Sequence, residues 1–552
     1  MARRQRKRRR APARRKTRPE KRDAATAKHQ IDFDLARRYE EAGNLTQARL
    51  IYQQVLQESP AQPTANLRLA TILHDQGEFF EAADYWRAAI KADAGDPFVR
   101  FNYGTCLRQL DRYEEAVRQF EDGLRLARSG PSRYPNAAIS QAHLRFAQIF
   151  EDIGEAEMAV RHLRKATQLN PKSKEAFHKL GYNLRLLGDL EAAKDCFRQS
   201  IKIDPDYATA HRSLAVSKNH TEYDEDVAAM ESLFRSDRME NEEKIKLAFG
   251  LGKVFEDLGE YDQAFNYWQI GNDLHNRLHP CELNVDIANF KALKKIFNKR
   301  HIEKVASRAS IDITPIFIVS MPRAGSSLAE QILACHSKVY GAGEVLTMRK
   351  VCENAVKRFP ADLAQLTNDD WQRLGQEYLD QVSERSDGQP YITDKLPGNY
   401  QHIGIIRVMF PAARIIHCRR DPMDTALSCY KTYFEAGAVP FSYDLKNLGT
   451  IYRHYEKLMA HWHKLLPGWI YDLDYEHLTS DSEECVRHLL DFIGLPFEEG
   501  CLAFHESKRV TRTASATQVH QPIYRDSINK WKHFERGLLP FQKARKGSFF
   551  GA

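Results

Sequence analysis

Three cations in this sequence stand where one anion could meet them all. Arg323 lies in Met321-Pro322-Arg323-Ala324-Gly325-Ser326-Ser327, between the apolar, β-branched run 315–320 and the helically spaced stretch Leu328–His336. Lys395 closes the short run that starts at Tyr391. Arg420 closes another that starts at Arg414, just before Asp421-Pro422 and a helix predicted over Met423–Phe434 that carries Ser428. A Gly/Ser loop between a strand and a helix offers backbone N–H groups to a phosphate. The nucleotide-triphosphatase pattern has Lys after its last glycine. Here the loop is shorter and Arg323 precedes Gly325, and no strand-end Asp stands ready for Mg²⁺, which argues against ATP or GTP hydrolysis. Any one of these cations alone reads as a solvated surface charge. Three at equivalent strand ends call for a strongly anionic ligand. Glu344, in Gly341-Ala342-Gly343-Glu344, follows the strand-like Val339-Tyr340 and is a candidate general base. Its flanking glycines let backbone and ligand approach closely. His336 competes for that role, but its place at the end of the loop's own helix suits a cap.

These residues need a frame. Short apolar strands alternating with helices predict a parallel sheet with helices on both faces. In such sheets ligands sit at the carboxyl ends of the strands. Beyond Tyr475 the pattern reads as structural. Ser480 and Glu483 have capping-box spacing, and Val486, Leu489, Leu490 and Ile493 make an apolar helix face.

The first half is periodic. Gly43, Gly77, Asp111, Gly154 and Gly188 recur at intervals of 34, 34, 43 and 34 residues. Five positions after each comes Ala48, Ala82, Ala116, Ala159 or Ala193. Four further on stands Tyr52, Trp86, Phe120, Leu163 or Phe197. Pro60, Pro171 and Pro205 close three units. A final copy reads Gly259, Ala264, Trp268, and a degenerate repeat is expected near Ala208–Phe234. A period of 34 identifies the helix–turn–helix tetratricopeptide repeat. The extra residues before the fourth unit, with Ser129-Gly130-Pro131 and Pro135, read as a loop insertion. A stacked solenoid of this kind offers a concave surface to a protein, peptide or glycan partner. Packing of the repeats on the second half is the alternative.

Residues 322–327, and the segment from Phe410-Pro411 through Arg420-Asp421-Pro422 to Ser428, resemble the 5′-phosphosulfate loop and the 3′-phosphate segment of sulfotransferases. The resemblance covers about 312–540. It is closest in kind to tyrosylprotein sulfotransferases and to bacterial fusions of tetratricopeptide repeats with a sulfotransferase domain. It implies the donor 3′-phosphoadenosine 5′-phosphosulfate and sulfuryl transfer to an acceptor hydroxyl, protein tyrosine among them. It implies that Arg323, Ala324, Gly325, Ser326 and Ser327 hold the 5′-phosphosulfate, and that Arg420 and Ser428 grip the 3′-phosphate. Tyr475 would lie near the nucleotide, Ser515 and Gln518 on a loop that closes over the donor, and Lys530 beside the 3′-phosphate. One further family arginine has no clean counterpart; Lys431 is near but out of register. Glu344 matches the catalytic glutamate. Lys395 and Arg323 would receive the charge that builds in transfer, with Ser515 as a neutral donor. No metal is implied. The alternative is a repeat scaffold whose sulfotransferase-like domain is inactive or merely binds a nucleotide.

Composition narrows the remaining classes. The chain has 552 residues, 42% apolar and 28% charged, with a formal net charge of +8. Thirteen of its 82 basic residues and one of its 74 acids fall in residues 1–22, so the rest carries −4. Contact with nucleic acid or another anionic surface is therefore confined to the tail, whose composition will not fold. No apolar run is long enough to span a bilayer, and no secretory signal follows the basic start. Nine scattered cysteines without a C-x-x-C pair suit a reducing compartment. The expected location is cytoplasmic. The expected domains are a disordered tail (1–28), repeats (29–280), a helical linker (281–311) and an α/β three-layer sulfotransferase-like domain (312–552).

Overall fold

The computed structural model describes residues 32–92, 95–129, 134–305, 313–383, 388–434, 438–507 and 526–547, together with 386, 509 and 523. The basic tail, Ser515 and Gln518 lie outside them. The chain forms two compact units. One holds the chain up to Ile153 with Arg161–Pro171, and the other holds Gly154–Val160 with the chain from Lys172 onward.

The first unit is built of paired helices, among them Pro63–Asp75 with Phe79–Ala92, and Pro97–Gln109 with Tyr113–Ser129. Pro63 and Pro97 open their helices at the position where a missing N–H costs nothing. The periodic turn residues share one conformation along the whole chain. Gly43, Gly77, Gly154, Gly188 and Gly259 have φ between 75° and 92°, and Asp111 takes the same left-handed state at 58°. Glycine is favoured there because a Cβ is strained, and Asp is among the few residues that tolerate it. The small residue after each turn, from Ala48 to Ala264, is fully buried, as are the rings that follow. Phe120 shows the packing: it stacks between Phe101 and Phe146, with centroids 5.5 and 5.2 Å away.

The second unit contains the later repeat helices and an α/β domain. Five parallel strands, β1 (Thr314–Ser320), β2 (Val339–Gly341), β3 (Tyr391–Asp394), β4 (Arg414–Arg419) and β5 (Ile470–Asp474), lie in the order β2-β3-β1-β4-β5. Alternation divides their side chains between two cores. Ile316, Ile318, Ile416 and Leu473 face one, and Phe317, Val319 and Ile415 face the other. The latter core runs without a break from Ala208 to Phe541. Trp268 of the last repeat packs on Phe534 (centroids 5.3 Å apart), and Asn272 Nδ2 donates to Tyr430 O at 2.9 Å. Here the repeats pack on the catalytic-type domain itself.

Two local expectations change, and a third stretch does more than expected. The stretch expected as a helical linker contains helices Asn284–Ile296 and Lys299–Val305, and Phe290, Leu293 and Phe297 are buried in that same core. The helix after β4 spans Pro422–Tyr430 rather than running to Phe434. Asp481, not Ser480, caps Ser482–Ile493 by accepting from Glu484 N, while Ser480 Oγ donates to His477 O. The acid is the stronger cap because it is charged at the positive end of the helix dipole.

Candidate functional site at the strand ends

Each of the five strands delivers one candidate residue just past its carboxyl end. In spatial order these are Glu344 after β2, Lys395 after β3, Arg323 after β1, Arg420 after β4 and Tyr475 after β5. The reversal of chain order around β1 opens the crevice in which such sheets bind ligands.

The loop after β1 turns through two left-handed residues, Arg323 (φ 68°) and Gly325 (φ 95°). Gly325 is required twice over, since a Cβ there would also lie 2.7 Å from Cδ2 of the Tyr475 ring. The helix that follows, Ser326–Leu333, has Gly325 as its N-cap, which has no side chain of its own to offer, and a helix start of this kind suits a bound anion.

Arg323 Nε donates to Ser428 Oγ at 3.1 Å. Arg420 Nη1 donates to Arg323 O at 3.1 Å and Nη2 to Ser527 O at 2.7 Å. The Arg420 guanidinium lies 4.9 Å from the centroid of Tyr475, whose hydroxyl bonds Ser527 Oγ at 3.0 Å. Among the described residues Arg420 Nε is buried and meets no acceptor, a donor left over for a ligand. The fold thus brings Arg323, Arg420, Ser428 and Tyr475 together across about 150 residues of sequence.

Lys530 is positioned from below. Asp424 accepts from Asn529 N at 2.7 Å and Trp531 N at 3.1 Å, fixing the backbone on either side of it. Lys431, out of register in the sequence, pairs instead with Glu256 of a repeat helix at 2.6 and 2.8 Å. Burial pushes the Lys431 ammonium below its usual range, Glu256 draws it back up, and the charges of Lys530 and Arg323 push it down again. These three cations therefore share one electrostatic neighbourhood.

On the other side of the crevice, the fully buried Lys395 Nζ meets Glu344 Oε1 at 2.6 Å, while Glu344 keeps one face in solvent. Beneath them Asp394 accepts from Tyr378 Oη at 2.9 Å and Asn399 Nδ2 at 3.0 Å. Burial pushes the Asp394 carboxyl up to about 7. His336 is engaged at both ring nitrogens. Nδ1 accepts from Lys338 N at 3.1 Å, so Nε2 carries the proton and donates to Pro496 O at 3.0 Å. Among the described residues one His/Asp group has metal-like proximity: His417, His463 and Asp472. Its atoms satisfy one another. His417 Nδ1 meets Asp472 at 2.6 Å and Nε2 meets Tyr455 Oη, while Arg419 neutralises the second Asp472 oxygen at 3.2 Å.

Sequence reasoning passed over Asp424, Ser527, Glu256, Glu330 and Arg509. Glu330 alone had a signal, as the one acid in the helical stretch after the loop.

Comparison with known proteins places these observations. Residues 315–499, which include all of β2 to β5 and all but the first residue of β1, match the sulfotransferase family. Residues 33–97, 81–138, 140–173 and 174–207 match the tetratricopeptide repeat. An uncharacterized protein of Aquifex aeolicus is 30% identical over 530 residues, covering 90% of this chain and 67% of that protein. The TPR repeat-containing protein YpiA of Bacillus subtilis is 25% identical over 237 residues, 42% of this chain and 53% of that one. A solved structure of Pseudomonas aeruginosa pilF is 20% identical with a TM-score of 0.31, covering 48% of this chain and 96% of that one. The chain belongs to one family with the Aquifex protein, and it joins tetratricopeptide repeats to a sulfotransferase-family domain.

Proposed function

We propose that the chain transfers a sulfuryl group from 3′-phosphoadenosine 5′-phosphosulfate to a hydroxyl of a protein or peptide, with the first unit's repeats as the surface that recruits the acceptor. The observation that carries this reading is the set of five strand ends, which lines up one carboxylate, three cations and one aromatic ring along the sheet. The donor fits these residues. The helix start after Gly325 and the guanidinium of Arg323 suit a phosphosulfate. The left-over Nε donor of Arg420, with Ser428 and Lys530, suits a second phosphate. The face of Tyr475 suits a base.

When bound, the donor supplies an activated sulfuryl group. The protein's own work is positioning and charge stabilisation, as in phosphoryl transfer. Glu344 takes the proton from the acceptor hydroxyl, for which its exposed face is open. Lys395 stands 2.6 Å from that carboxylate and stabilises negative charge on the departing oxygen. Arg323 shares that charge. His336 stays with its backbone partners. Ser515 and Gln518 complete the proposed set from outside the described residues.

Calorimetry with 3′-phosphoadenosine 5′-phosphate tests the reading. The wild type should bind it, and Arg323→Ala should lose at least a hundredfold in affinity. Glu344→Gln should bind normally and turn over at least a hundredfold more slowly with ³⁵S-labelled donor and lysate acceptors. Absence of nucleotide binding in the wild type would sink the enzymatic reading. Normal turnover in Glu344→Gln would sink only the assignment of the base.

A further inference from the structure

Four polar backbone groups of the turn that carries Glu344 are each tied to a different anchor. Ala342 N donates to Thr393 O and Thr393 Oγ1, both at 3.3 Å. Gly343 N donates to Glu330 Oε1 at 2.7 Å. Gly341 O accepts from Arg509 Nη2 at 2.9 Å, and Gly343 O accepts from Lys395 N at 3.0 Å. One side chain ties these anchors together. Glu330 is 1% exposed and sits on the helix that starts at the phosphate-type loop. Besides Gly343 N, its Oε1 accepts from Thr393 Oγ1 at 2.9 Å and meets Arg509 Nη2 at 3.2 Å.

A buried carboxylate is costly unless its lone pairs are filled. Here the three groups that converge on Oε1 belong to the turn before Glu344, to the strand that delivers Lys395, and to Arg509, which also holds Gly341 O and donates to Gln331 Oε1 at 3.2 Å. Glu330 touches neither Glu344 nor Lys395 side chains in these bonds. It fixes the backbone from which both project.

We infer that Glu330 is the positioning residue that sets the distance between Glu344 and Lys395, by holding the base-bearing turn against the phosphate-loop helix. This rests on the assignment of Glu344 as the base. The physical consequence is specific. If the turn loosens, Glu344 drifts from the Lys395 ammonium that stands 2.6 Å away, and proton transfer starts from a poorer geometry. The nucleotide contacts of Arg323, Arg420 and Ser428 are made elsewhere and stay in place.

The test compares full-length wild type, Glu330→Gln and Glu330→Ala. Glu330→Gln keeps an acceptor for Gly343 N but loses the ion pair with Arg509, so it remains informative if Glu330→Ala does not fold. Affinity for 3′-phosphoadenosine 5′-phosphate should stay within threefold. The turnover number should fall at least tenfold in Glu330→Gln and further in Glu330→Ala, with the donor KM unchanged. A fall in turnover with unchanged donor KM and unchanged nucleotide affinity is a split that a mere loss of folded protein would not give. Amide exchange at Ala342 and Gly343 should quicken at least tenfold. Unchanged exchange at those two amides in a folded variant overturns the inference, as does turnover within twofold of wild type. If the wild type neither binds the nucleotide nor turns over, the sulfotransferase reading fails by itself, and the exchange measurement still decides whether Glu330 holds the turn.

Discussion

The repeat around Phe120 and the repeat around Trp268 obey the same grammar and meet different neighbours. Both have a left-handed turn residue, a buried alanine five positions on and a large ring four positions later. Phe120 stacks on rings of its own repeat array, Phe101 and Phe146. Trp268 packs on Phe534, in the segment that holds Lys530, and Glu256 of the same repeat grips Lys431. A repeat motif therefore specifies how its two helices close on each other, and leaves open what they close against.

The largest effect should come from the rings. Phe120→Ala and Trp268→Ala should each cost about 3–5 kcal/mol in their own unit, read as separate transitions in denaturant unfolding. Only Trp268→Ala should weaken binding of 3′-phosphoadenosine 5′-phosphate, by at least tenfold in calorimetry. Equal loss of affinity in Phe120→Ala would erase the distinction.

A smaller effect, of opposite sign in the two units, should appear with pH. In the first unit His143 and His162 meet through their Nδ1 atoms at 3.0 Å, and burial pushes each down to about 4. The unfolded histidines bind protons first, near about 6.5. Their contribution is present above that pH and lost as pH falls toward about 4. In the second unit burial pushes Asp394 up to about 7, so the folded state holds its proton while the unfolded chain releases it. That contribution is lost as pH rises from about 4 to 7. Thermal unfolding between pH 5 and 7.5 checks both. The stability difference between wild type and His143→Gln should shrink on acidification, and the difference from Asp394→Asn should shrink on alkalinisation.

The smallest effect should be common to the repeat turns of both units. At Gly77 and Gly259 a Cβ would meet nothing within 4 Å, so Gly77→Ala and Gly259→Ala should each cost only the backbone strain, about 1–2 kcal/mol. Asp111→Gly should gain less than about 1 kcal/mol. Chemical denaturation measures all three, and unequal costs at Gly77 and Gly259 would show that the shared turn is loaded differently.

Much of this was legible in sequence because it is local. A 34-residue period needs only fixed offsets, and Asp111 could be read as a glycine substitute because its neighbours at +5 and +9 fit. Strand, loop and helix around Arg323 likewise follow from one contiguous stretch. What escaped was either weakly patterned or remote. β5 went unpredicted because it is an edge strand whose Tyr471 and Asp472 are half-exposed, so no apolar run marks it. The Glu256–Lys431 pair joins residues 175 apart, and no spacing rule reaches that far. The helix after β4 stops at Tyr430 with Lys431 as its C-cap, and the Lys431 side chain is held by Glu256, a partner that local propensity cannot reveal.

The order of the strand ends has a metrical consequence. Neighbouring strands lie about 4.8 Å apart, so four intervals separate the β2 and β5 axes by about 19 Å. The sheet is a ruler nearly two nanometres long, graduated by one candidate side chain per strand. A molecule that reaches from Tyr475 to Glu344 must be extended and rigid enough to lie along it. Length would then filter ligands before charge does, and a compact anion of equal charge would touch only one end of the scale.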